Sequence, residues 1–137
     1  MTQNRFEEIL DEVIDEIETS LKDARGVVVH QRRLAFLLSL GSVSLIEYYL
    51  WKKSVLIPGS KLNHLWFKKK KVNVKILITK LLSCPVSSIP EIDELLDLAF
   101  ELEKERNHWA YGKIVSEGLL REKINSFLNL KQKVENV

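Results

Sequence analysis

A chain of 137 residues that is 45% hydrophobic suits one compact domain with its own core, and it is too apolar for a disordered segment. Five glycines and three prolines leave few turns, which favours long helices over many short strands. The single cysteine, Cys84, excludes an internal disulfide framework and fits a reducing compartment, and the net charge of +2 conceals a strong asymmetry. Residues 1–25 carry three basic and eight acidic side chains, residues 26–90 eleven and one, and residues 91–137 seven and ten. A middle segment this basic can attract phosphate, or it can pair with its acidic flanks.

The acidic, amphipathic N-terminus is unlike a signal peptide, and none is expected. Phe6, Ile9, Leu10, Val13, Ile14, Ile17 and Leu21 recur at three- and four-residue spacing and predict a helix over 4–22. "DARG" at 23–26 ends it, with Gly26 able to take the left-handed cap. Residues 27–54 read as one long buried helix, with a short strand over Val27–Val29 as the alternative at its start. Ser39, Gly41, Ser42 and Ser44 are small enough for a neighbouring helix to approach closely. The longest uncharged run, 34–46, has 13 residues, short of the roughly 18 that span a bilayer. No membrane association is expected.

"IPGSK" at 57–61 is a turn, and residues 62–67 suit a short helical turn. Residues 71–83 predict a helix. The alternation of Val72, Val74, Ile76 and Ile78 would also suit a strand, but an isolated strand has no partner. In "PVSSIPE", 85–91, Ser88 is placed as an N-cap with Glu91 three residues on, as in a capping box. A helix is then expected over 89–109, ended by Gly112, and a last one over 116–134. About five helices in an all-α, up-and-down bundle account for residues 1–137 as one domain.

The three histidines, His30, His64 and His108, lack metal-ligand spacing, and Gly-rich phosphate loops are absent. Neither a metal nor a cofactor is expected. Two places carry chemistry. Trp66 and Phe67 followed by Lys68, Lys69, Lys70 and Lys71 mix rings for base stacking with cations for phosphate. The plain alternative is a pair of core anchors beside a solvated face. The second place is "ERNHWAYGK", 105–113, at the end of a helix where side chains can converge outside the bundle. Arg106 can grip phosphate with its planar fork, Asn107 can hold a backbone or base edge, and Tyr111 can position a ribose hydroxyl. The alternative is that Arg106 pairs with an acid such as Glu103, Asn107 satisfies loose carbonyls, and Trp109 and Tyr111 pack.

The helical layout, the Arg106–Asn107 step and the following helix "SEGLLREKINSFLNLKQKVE" resemble a HEPN domain, the helical family of many prokaryotic toxins and of proteins encoded beside minimal nucleotidyltransferases. The resemblance covers the whole chain in architecture and a handful of residues in motif. It implies a homodimer that acts, where active, as a metal-independent ribonuclease, with arginine on the scissile phosphate and a histidine as acid and base. Here Tyr111, with four residues between it and Arg106, stands where that histidine would fall. A phenol with a pKa near 10 is a weak base at neutral pH. His108 is two residues from Arg106, and helical positions i and i+2 point apart.

The expectation is therefore a cytoplasmic homodimer that binds RNA or a nucleotide phosphate around Arg106, Asn107 and Tyr111, with weak or no ribonuclease activity. A non-catalytic interaction module partnering a nucleotidyltransferase-like protein is the second class. A DNA-binding regulator using residues 61–80 is the third, although no recognition-helix turn is evident.

Overall fold

The computed structural model describes residues 3–104 and 106–136, and it is an all-α bundle. Its helices are α1 (Gln3–Lys22), α2 (Gln31–Lys52), α3 (Lys71–Thr79), α4 (Ile92–Glu103), α5 (Arg106–Tyr111) and α6 (Glu117–Glu135). Contacts between their ends give the topology. Phe6, early in α1, packs on Tyr48 and Trp51, late in α2, while Glu16 reaches His30 just ahead of α2, so these two helices are antiparallel. Tyr49 hydrogen-bonds Pro90 before α4, and Ser39 hydrogen-bonds Glu103 at its end, so α4 also runs against α2. Lys133 pairs with Glu94 at 2.6 Å, and Lys52 donates to Val134 O, so α6 is antiparallel to α4 and parallel to α2. The four long helices thus run alternately up and down.

α2 is the central element. Leu34, Leu38, Leu45, Ile46, Tyr49 and Leu50 are fully buried around its circumference. The Val27–Lys52 stretch is long and apolar enough to cross a membrane by composition, but 72% of its most apolar window is buried inside the bundle. Gly41 makes the tight packing possible. A Cβ built there would lie 2.6 Å from Phe127 on α6 and 3.1 Å from Val13 on α1. The small residues of α2 therefore do admit close neighbours, here within the same chain.

Four local expectations are corrected. The long helix begins as a 3-10 turn, Val27–His30, where a short strand was the alternative, and becomes α-helical at Gln31. The expected helix over 89–109 starts at Ile92 and breaks after Glu103, where Lys104 takes an extended ψ of 122°. Residue 105 lies outside the described residues, and Arg106 opens a separate short helix. Ser88 does not cap α4, since its hydroxyl turns back to Pro85 O at 2.6 Å. The N-cap is Glu91, left-handed at φ 62°, with no side-chain cap bond. Finally, α3 stops at Thr79, and Leu82 pairs with Leu56 in an isolated antiparallel bridge. Ile57 N donates to Leu81 O and Ser83 N to Val55 O, each at 2.8 Å, which closes the α2–α4 connection on itself.

Candidate functional site

The closed connection carries the lysine run to the end of α4. Asn63 caps a 3-10 turn, His64–Lys68, by accepting from Leu65 N at 2.9 Å. That turn buries Phe67 against Phe100 of α4, with ring centroids 5.6 Å apart. The anchor leaves Lys68, Lys69 and Lys70 exposed immediately beside the α4–α5 break.

A cavity of about 500 Å³ opens there. Lys68, Lys69, Lys71, Lys104, Arg106 and Asn107 line it, over a floor that includes Phe67 and Phe100. Two segments singled out in the sequence, some 40 residues apart, therefore meet at one site. Five cations face two carboxylates, Glu101 and Glu103, in its wall. Lys71 is partly spent on α4, lying 3.0 Å from Asp97 and 3.7 Å from Asp93. Asp97, and then Asp93, holds its ammonium above the ordinary lysine range. Lys68, Lys69 and Lys70 make no ion pair with another described residue.

Arg106 is only 8% exposed. Its Nε lies 3.4 Å from Glu103 Oε2, close enough for charge attraction, but the geometry is not that of a hydrogen bond. Both atoms are consequently buried without a hydrogen-bond partner. Such a pair is an open polar position, because a buried donor and acceptor left unmade are costly. Ser39 of α2 donates to the other oxygen of Glu103. The guanidinium sits 5.5 Å from the centre of the Phe36 ring, a cation–π contact. The expected pairing of Arg106 with Glu103 and the packing of Trp109 are both present.

Other predicted residues fall outside this cavity. Tyr111 is 68% exposed and meets Phe36 edge-on at 5.6 Å. Trp66 is half-buried against the core, and Lys70 caps α3. His108 lies on α5, which runs unbroken from Arg106 to Tyr111, so the two side chains are carried to different sides. None of the three histidines lines this cavity.

Two features had been missed. His30 is buried between Glu16 and Asp23, 2.8 Å from each at its two ring nitrogens, and it ties the end of α1 to the start of α2. A second cavity of about 400 Å³ lies between α1, α2 and the α2–α3 connection. Arg106 lines this one too. Glu47, the sole acid among residues 26–90, sits in its wall and is 3% exposed. Glu47 Oε1 accepts from Leu62 N at 2.7 Å, and burial pushes its carboxyl above the ordinary range. An acid alone in a long basic and apolar segment was the available signal.

Comparison of the chain with family models, with curated proteins and with solved structures finds no match.

Proposed function

We propose that this chain is a HEPN-like, cytoplasmic homodimer that binds RNA or a nucleotide phosphate in the basic cavity, with Arg106 as its inner wall. The observation that carries this reading is the meeting of Lys68 and Lys69 with Lys104, Arg106 and Asn107 around one opening. Clustered cations beside the exposed Asn107 amide suit a phosphate backbone better than a neutral ligand. Binding is the main function, with weak or no ribonuclease activity, because Tyr111 and the histidines stand outside the cavity and its only carboxylates among the described residues are Glu101 and the Arg106-paired Glu103.

The second copy docks on the stripe beside it. Val29, Phe36 and Leu40 follow one another along one side of the 3-10 turn and α2, each partly exposed, and Tyr111 and Ile114 extend the patch. An apolar patch of this kind on a small domain marks an interaction surface. The same stripe, with Arg106 buried against Glu103, supports a second reading in which the chain docks a nucleotidyltransferase-like protein and binds no RNA.

The test is fluorescence anisotropy of a labelled single-stranded RNA across a salt series, together with RNA cleavage in EDTA. Lys68→Gln with Lys69→Gln should weaken binding and flatten the salt slope by about one to two, at roughly 0.7 per phosphate contact. An unchanged affinity and slope would reject the phosphate reading and leave the docking one.

A further inference from the structure

The Glu47 cavity is distinct from the basic one in chemistry and shares a wall with it. Ile9, Phe36, Leu40, Val43 and Leu62 make it apolar, while Ser39, Ser44 and Glu47 place polar groups on its α2 side. Phe36, Leu40, Val43 and Glu47 follow a three- and four-residue spacing, with Ser39 and Ser44 beside them, so one face of α2 supplies all six from a rigid element. At about 400 Å³ it has the size of a small-molecule site, and its mix of apolar wall with a few fixed polar groups is that of one.

The charges around it select the ligand class. Arg5, Lys61, His64 and Arg106 line it, which disfavours an organic cation. Glu47 disfavours an anion at its own position. A neutral planar ring with N–H donors satisfies both constraints. It can lie against Phe36 and donate to the Glu47 carboxylate, whose Oε1 is already engaged by Leu62 N. Arg106 lines this cavity and the phosphate cavity alike, and its Nε lacks a hydrogen-bond partner.

We propose that the Glu47 cavity receives a nucleobase bearing an exocyclic amino group, from a nucleotide whose phosphate lies on the Lys68, Lys69 and Lys104 side of Arg106. The inference rests on the phosphate-binding reading above and deepens it. Glu47 selects amino-bearing bases because its carboxylate is acceptor-only when ionised. Uracil keeps one ring N–H donor but presents a carbonyl oxygen, which the carboxylate repels, where adenine and cytosine present an amino group, so it is the weaker ligand.

Isothermal titration calorimetry of the full chain against AMP, CMP, UMP, adenosine and pyrophosphate tests this. AMP and CMP should bind about tenfold more tightly than UMP, the difference of one hydrogen bond to a charged acceptor. Glu47→Gln keeps an acceptor for Leu62 N but can turn an amide donor inward, so it should erase or reverse that preference. Ile9→Trp, on the α1 side of the cavity and outside the docking stripe, fills it, and it should abolish adenosine binding while leaving pyrophosphate affinity unchanged. Pyrophosphate binding that needs Lys68 and Lys69, with AMP and UMP equal and Glu47→Gln silent, overturns the base cavity and leaves the phosphate reading standing. Adenosine binding lost in Glu47→Gln, with pyrophosphate unbound, supports the cavity and removes the phosphate reading. No binding of any of the five overturns both.

Discussion

At Arg106 the competing demands of stability and binding fall on one side chain. Its partner Glu103 is 5% exposed and is otherwise held by Ser39 alone among the described residues. Removing one member of a buried ion pair strands the other charge, at a cost of about 3 kcal/mol or more. Arg106→Ala should lower the urea midpoint accordingly, and Arg106→Met combined with Glu103→Gln should recover most of the loss. Any loss of RNA affinity in the single variant is interpretable only beside that denaturation curve. Two carboxylates set opposite pH limbs. Burial raises the Glu47 carboxyl above 4.5, so the folded chain holds that proton longer than the unfolded chain does. Stability therefore falls as pH rises from 4.5 to the raised value, and Glu47→Gln should abolish that fall. Asp23 is lowered below 3.8, first by the Arg25 side chain and backbone and then by His30. Its contribution is present above 3.8 and is lost as pH falls towards the folded value, and Asp23→Asn should remove that acid limb. Urea unfolding at closely spaced pH values separates the two.

The helices show where interior packing overrides local preference. Gly41→Ala should gain about 1 kcal/mol of helix propensity. It would also drive a methyl to 2.6 Å from the fully buried Phe127 ring, and overpacking of that kind costs about 1–3 kcal/mol. The net expectation is destabilisation, read from thermal unfolding. Glu91→Gly relieves a left-handed φ of 62° but removes the carboxylate that accepts from Tyr49 at 3.1 Å, so the two effects of about 1 kcal/mol each should nearly cancel in thermal unfolding, with Tyr49 still donating to Pro90 O. The stripes of α1 and α6 were legible because an amphipathic face repeats over several turns. The small residues of α2 announced a close approach, which Gly41 makes to α1 and α6. The break between α4 and α5 was not legible: Lys104 is no helix breaker, and its extended backbone places Arg106 beside Phe36 and Glu103. The capping box was misread because Ser88 found Pro85 O within its own turn. The lysine run and the Arg-Asn step were both visible in the sequence. That they share a cavity depends on Phe67 packing on Phe100, a contact between segments too far apart for periodicity to report.

Over the whole molecule, the basic middle segment is divided between two duties. Lys71 and Lys75 are drawn onto the acids of α4, while Lys68 and Lys69 face the cavity. The apolar stripe lies just across Phe36 from that cavity. Phe36→Glu should convert a dimer to a monomer in sedimentation and weaken RNA binding at the same time, through the loss of the ring beneath Arg106. The lysines themselves ride on a loop closed by the two strand-like hydrogen bonds around Leu56 and Leu82. When that clasp opens, the segment bearing Phe67 and its lysines gains freedom to leave α4. Any phosphate held between Lys68 and Lys104 then acts as a remote latch on the clasp, with its binding free energy added to the work of opening. Deuterium uptake at the Ile57 and Ser83 amides, neither residue lining the basic cavity, should therefore slow in proportion to ligand occupancy and become the most sensitive reporter of a site they do not touch.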